Sequence, residues 1–206
     1  MNTENKKTEK ENFSIIKEIL SFTQLVIFAL AIIIPLKYFI IEPFIVSGAS
    51  MSPNYETGHY LVVNKMSGTF SDIKRGDVLV FVPPSQRSDS WLKYTGYFDP
   101  RTKYIKRTIG LPGETVKLEN HKIFIKKVGA KDFVELTEPY IKNSGITKSV
   151  ETLLKSDEYF MLGDNRGNSY DSEEWGPIKK SDIMGSPVLR VLPFSQFGTS
   201  PADYNF

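Results

Sequence analysis

Apolar and polar positions divide this chain into two unlike parts. Residues 22–41 form an apolar run whose only polar groups are Thr23, Gln24, Lys37 and the Tyr38 hydroxyl, and residues 25–36 carry no charge. Twenty helical residues at about 1.5 Å rise each span roughly 30 Å, the thickness of a bilayer's hydrocarbon core. A membrane-crossing helix over residues 21–41 is therefore expected, with Pro35 tolerable inside it and Lys37 able to snorkel to the headgroups. Two alternatives stay open. A buried helix of a water-soluble protein would usually show a polar stripe, which residues 25–36 lack. A cleaved leader is the other, since Ser47-Gly48-Ala49 looks like a small-residue cleavage site, although the apolar run is long for that role. Residues 1–20 read as a polar tail, in which Lys6, Lys7, Lys10 and Lys17 are balanced by four Glu. Lysines ahead of the span put the N-terminus in the cytoplasm and everything after Glu42 outside.

Past residue 42 the pattern changes to short apolar runs broken by turn residues. Residues 60–64, 78–82, 104–109, 115–118, 122–126, 159–162 and 186–192 read as strands. Gly58, Arg75-Gly76-Asp77, Pro83-Pro84, Leu111-Pro112-Gly113 and residues 164–167 punctuate them. No long helical pattern, fixed-period repeat or low-complexity tract follows. The expected fold is mainly β: one antiparallel-sheet domain over residues 42–200 after a single N-terminal helix. Residues 112–156 are more polar, with a hairpin expected at Glu119-Asn120-His121, and read as an insertion between two parts of the core.

Composition then narrows the chemistry. The chain has 206 residues and no cysteine, which excludes disulfides, Cys-zinc sites and a Cys nucleophile. Lys plus Arg number 26 against 24 Asp plus Glu, without the basic excess of a nucleic-acid-binding face, so no nucleic-acid partner is expected. His59 and His121 are the only histidines; a multi-His metal centre is not expected, nor any metal or cofactor. For a Ser-His-Asp triad the choice lies between His59, just ahead of a strand, and His121, in the expected hairpin turn. Either could serve, but the sequence points to a different base.

A Ser-Lys pair is the known alternative to that triad. Ser50 lies in Ser47-Gly48-Ala49-Ser50-Met51-Ser52-Pro53, where small neighbours leave its hydroxyl and backbone N–H accessible. Lys106 lies in a strand that sets Tyr104, Lys106 and Thr108 on one face. Read singly, a turn serine and a solvated strand lysine are equally ordinary descriptions of these two residues.

Four segments together resemble a known family. Ser50-Met51-Ser52-Pro53 after Ser47-Gly48-Ala49 resembles the nucleophile box of the type I signal peptidases, peptidase family S26. Arg75-Gly76-Asp77-Val78-Leu79-Val80-Phe81 is similar to their second core strand, and the segment from Tyr104-Ile105-Lys106-Arg107 to Leu111-Pro112-Gly113-Glu114 to their lysine box. Gly163-Asp164-Asn165-Arg166-Gly167-Asn168-Ser169-Tyr170-Asp171-Ser172, followed by Trp175-Gly176, matches their last box. The resemblance covers the span and most of residues 42–195, leaving out 112–156 and the tail.

It implies a membrane-bound serine endopeptidase of the bacterial cytoplasmic membrane, single-pass, with an extracytoplasmic catalytic domain. It would remove signal peptides from exported preproteins after an Ala-x-Ala-like site, with the bilayer and those peptides as its partners. By matched position Ser50 is the nucleophile and Lys106 the general base. Ser169 hydrogen-bonds and orients the lysine, and Arg107 with Asp164 is a structural ion pair beside the site. Phe44, Val46, Met51 and Ile105 match residues lining shallow pockets for small side chains, with core packing as their plainer reading. An extended substrate would pair as an added strand beside the Ser50 and Lys106 segments.

The chain also departs from the family pattern. Gly48 stands where some members have an oxyanion-hole serine, Asn54 where Thr is usual, His59 where Asp is typical and Gly167 for an Asp. Glu173 stands for an Arg and removes the expected partner of Asp171. Trp91-Leu92-Lys93-Tyr94-Thr95-Gly96-Tyr97-Phe98 fits either a membrane interface or a cover for the core's edge. Three rivals remain: a silent paralogue acting as an anchored binding module, a self-cleaving Ser-Lys repressor, and a cleaved, secreted β domain. The first would not need Ser50 and Lys106, and the second would carry a helix-turn-helix where this chain has an apolar span.

Overall fold

A computed structural model describes residues 3–70, 72–86, 101–141, 145 and 148–199. The chain divides into two compact units, Met1–Ile40 and Ile41–Phe206. In the first, helix α1 runs Thr3–Pro35 and a π-helical turn continues over Leu36–Ile40. Proline has no N–H to donate to the helical ladder, so the regular helix stops at Pro35 and the wider turn follows. Ile15–Pro35, 21 residues, is long and apolar enough to cross a membrane. The helix thus starts well ahead of residue 21, and its apolar stretch at Ile15, where Ile15, Ile16, Ile19 and Leu20 interleave with Lys17 and Glu18. It also ends short of residue 41, which opens a strand.

The second unit is mainly β. Strands β1 (Ile41–Ile45), β2 (Tyr60–Asn64), β3 (Val78–Phe81) and β4 (Tyr104–Gly110) come first, with helix α2 (Lys65–Phe70) after β2. Then follow β5 (Thr115–Glu119), β6 (Lys122–Lys126), β7 (Val134–Glu135) and β8 (Val150–Leu153). The chain closes with β9 (Glu158–Leu162), α3 (Ser172–Trp175), β10 (Ile178–Lys179), β11 (Ile183–Leu192) and β12 (Gly198–Thr199). The larger sheet has the order β1-β2-β11-β3-β4-β9-β10, with β12 added on β11; the smaller is β7-β6-β5-β8. Neighbouring strands pair antiparallel throughout.

The seven runs read as strands from sequence correspond to β2, β3, β4, β5, β6, β9 and β11. Strand β1 was hidden by Glu42 and Pro43, and proline is admissible there because β1 is an edge of the sheet. Pro187 in β11 sits beside a bulge, the other place a strand accepts proline. All four residues of β3 are buried: Val78 and Val80 join one apolar cluster, Leu79 and Phe81 another. The smaller sheet lies inside residues 112–156, and its Val116, Leu118, Ile123 and Ile125 pack against Ile109, Phe160 and Leu162 of the larger one. Its β5–β6 hairpin turns at Asn120 and His121 with φ of 52° and 63°, a pair of left-handed residues that matches strand twist. His121 is exposed there. The aromatic segment 91–98 lies outside the described residues.

Candidate active site

Strand β4 carries Lys106 through the interior of the larger sheet, between β3 and β9. Leu79 stands opposite Lys106 in the register and Val80 opposite Ile105. Lys106 is only 3% exposed, and its Nζ lies 2.5 Å from Ser50 Oγ. Burial lowers the amine to about 8 from an ordinary 10.5, against the opposing pull of Asp171 and then Asp164. The contact thus joins a hydroxyl to an amine with a substantial neutral fraction near pH 8, the arrangement that a nucleophile–base pair would need.

The neighbouring Arg107 is fully buried and forks onto Asp164. Its Nε donates to Asp164 Oδ1 at 2.8 Å and its Nη2 to Oδ2 at 2.7 Å, while Nη1 donates to Gly76 O at 2.8 Å. Burial opposes the guanidinium's charge, but the bonds and charge of Asp164 outweigh it and hold its pKa raised. The Asn54 amide donates to Asp164 Oδ2 at 2.8 Å, so the residue in the usual Thr position adds a bond to this pair.

The Ser50 turn connects β1 to β2 and is fixed from two sides. Asn165 N donates to Ser50 O at 2.9 Å and Asn165 Nδ2 to Ala49 O at 3.0 Å. Thr57 brackets Gly48, accepting from its N–H at 3.0 Å and donating to its carbonyl at 3.1 Å. Among the described residues the Ser50 N–H donates no hydrogen bond. Val46, Met51 and Ile105 meet in one buried cluster with Phe44 packed against it, so the four expected pocket residues are neighbours. Met51 has 0% exposure, and it can only back such a pocket from behind.

The turn after β9 completes the site. A side chain at Gly163 would place its Cβ 2.2 Å from Ser169 Oγ and 2.5 Å from Ser50 O; only glycine fits this approach. Gly163 N donates to Asp171 Oδ2 at 3.0 Å, and Glu173 N donates to Oδ1 at 3.2 Å, capping α3. Asp171 therefore has backbone partners where the resemblance supplied a guanidinium. Glu173 itself is pushed up to about 7, by burial first and by Asp171 next. Ser169 Oγ is buried without a hydrogen-bond partner among the described residues, so the direct bond to Lys106 that the resemblance implies is not made. His59 is buried, with Nδ1 accepting from Glu56 N at 3.2 Å and its pKa lowered by burial and then by Arg190. Its ring is occupied with the turn before β2.

Asn165 and Thr57 were not singled out as functional from sequence. An asparagine in a turn and a threonine near a glycine are ordinary, and no spacing tells which carbonyl each will reach.

The family model described as "Signal peptidase, peptidase S26" matches residues 19–192. A probable signal peptidase I-1 of Synechocystis sp. is 34% identical over 174 residues, covering 84% of this chain and 83% of that protein. A signal peptidase I of Bacillus amyloliquefaciens is 30% identical over 196 residues, covering 92% and 97%. A crystal structure of a signal peptidase I from Enterococcus faecalis aligns with a TM-score of 0.41 at 27% identity, covering 56% of this chain and 96% of that one.

Proposed function

The chain belongs to the signal peptidases of peptidase family S26 and is a serine endopeptidase with signal peptidase I function; on that premise we propose that it works through a Ser50–Lys106 dyad, anchored by α1, on exported preproteins. The observation that carries this reading is the 2.5 Å contact between Ser50 Oγ and a lysine that is almost entirely out of water. An ordinary lysine, with a pKa of about 10.4, is only about 0.1% or less neutral at neutral pH and is a poor base. Desolvation removes that obstacle. Neutral Lys106 takes the Ser50 proton as Oγ attacks the scissile carbonyl, and then returns a proton to the leaving amine. An acyl-enzyme remains on Ser50, and a water deprotonated by the same amine releases it. The unengaged Ser50 N–H is available to the developing oxyanion, a role with added weight because Gly48 has no hydroxyl to offer. No metal or cofactor enters these steps.

The substrate is read as an extended segment laid beside the Ser50 turn and β4, with backbone bonds giving affinity. Phe44, Val46 and Ile105 would form the walls that admit small side chains at an Ala-x-Ala-like site, with Met51 behind them. Ser169, buried and without a hydrogen-bond partner among the described residues, would bond Lys106 once substrate orders the site. The apolar stretch of α1 would cross the bacterial cytoplasmic membrane once, with Lys6, Lys7 and Lys10 holding the N-terminus in the cytoplasm. The test is cleavage of an Ala-x-Ala preprotein by the detergent-solubilised full chain, beside Ser50→Ala and Lys106→Ala. Cleavage after that site by wild type, lost in both variants, is the expected result; a folded wild type that cleaves nothing across pH 7–10 overturns the proposal.

A further inference from the structure

Glu138 and Tyr140, which follow β7 of the smaller sheet, lie against the last box. Arg166 is buried and forks onto Glu138, with Nη1 donating to Oε2 at 2.7 Å and Nη2 to Oε1 at 2.5 Å. The same guanidinium donates from Nε to Gly163 O at 2.8 Å, and Gly163 is the residue wedged against Ser50 O and Ser169. Tyr140 OH donates to Glu138 Oε1, and the Tyr140 ring lies 4.2 Å from the Arg107 guanidinium. Further on, a side chain at Gly145 would put its Cβ 2.6 Å from Gly167 N, so Gly145 and the box touch backbone to backbone.

We propose that Glu138, braced by Tyr140, is a positioning residue for the catalytic pair: it balances the charge of Arg166 and so preserves the charge environment of Lys106. This rests on the proposed dyad. The groups facing Lys106 are Asp171, Asp164 and the Tyr104 ring; those facing Arg166 are Glu138, Tyr140, Asp164 and Glu173. Asp164 is thus common to both cations. With Glu138 in place, Arg166 is neutralised and the Asp164 charge is felt by Arg107 and Lys106. Without it, Arg166 becomes an uncompensated buried cation that draws on Asp164 and repels a charged Lys106. A glutamate 28 residues from Arg166, in a segment outside the core strands, thereby acts on a base it does not touch.

The test is the pH profile of kcat/KM for the full chain in detergent. Glu138→Gln is expected to move the acidic limb toward lower pH by about 0.5 unit or more and to lower its plateau roughly tenfold. Arg166→Gln is expected to move the limb the other way, and the double variant to restore it. Glu119→Gln, which changes a partly exposed carboxylate of the smaller sheet, leaves the profile unchanged. An unmoved limb in Glu138→Gln, or a shift of the same sign in both single variants, overturns the inference; a loss of stability alone would mark a merely structural contact. Should Glu138→Gln not fold, Arg166→Gln decides: an alkaline shift supports the inference, and no shift or an acidic one ends it. If wild type is inactive, or Lys106→Ala cleaves as well as wild type, the dyad fails instead, and the two failures are distinguishable.

Discussion

Lys106 on β4 and Lys117 on β5 are strand lysines eleven positions apart with opposite fates. Strand β4 is covered on both faces, whereas β5 alternates buried and partly exposed positions. Lys117 Nζ reaches Glu119 at 2.8 Å in contact with water, and that hydrogen bond raises its pKa. Lys106 meets a serine hydroxyl out of water, and burial lowers its pKa to about 8. The carboxylates nearest it, Asp164 and Asp171, are engaged by Arg107, Asn54 and backbone amides. What separates a lysine of lowered pKa from one of raised pKa here is the layer packed over the strand and how the nearby anions are occupied.

The contrast can be tested from its largest consequence downward. Lys106→Ala should lower kcat/KM for preprotein cleavage by at least about 10³-fold, while Lys117→Ala leaves it unchanged in the same assay. Asp164→Asn strips a buried guanidinium of its counter-charge and should cost about 3–5 kcal/mol in urea unfolding. Glu135→Gln, which breaks the exposed pair with Lys122, should stay within about 0.5 kcal/mol of wild type. The buried amine also makes stability depend on pH. Its folded pKa of about 8 lies below the ordinary 10.5, so between those values the unfolded chain holds a proton the folded one has released. Stability from this group rises across pH 8–10.5 and its penalty is complete below 8. Lys106→Met should therefore be more stable than wild type at pH 7, by up to about 3 kcal/mol, and lose that advantage above pH 10.5. Calorimetry at several pH values reads the difference directly. Among the effects on turnover the smaller is that of Asn165→Ala, which frees the Ala49 carbonyl and should reduce kcat/KM roughly tenfold with little change in KM.

Much of the larger sheet was legible because its strands alternate or run apolar between glycine and proline turns, as at 60–64 and 78–81. The Ser50–Lys106 pairing was legible only through the resemblance: the two residues are 56 positions apart, and a period-2 pattern looks the same around a buried lysine and an exposed one. Strand β1 escaped because Pro43 argues against a strand until its edge position is known. The partners of Asp171 escaped for another reason. The sequence displays side chains, so the missing guanidinium at Glu173 was visible, whereas the backbone amides of Gly163 and Glu173 that take its place were not. Glu138 was hidden likewise, its meaning set by an arginine in the turn after β9.

The Asn165 clamp on the Ser50 turn also has a bearing on the order in which the protein is made. Ala49 and Asn165 are separated by 116 positions, so at about 5–20 residues per second the serine leaves the ribosome roughly 6 to 23 s before the residue that holds its turn. During that interval the nascent chain carries Ser50 with neither its backbone clamp nor the Asp171-capped helix behind it. A chain stopped anywhere before the last box therefore lacks the residue that holds the Ser50 turn, however complete the strands ahead of it.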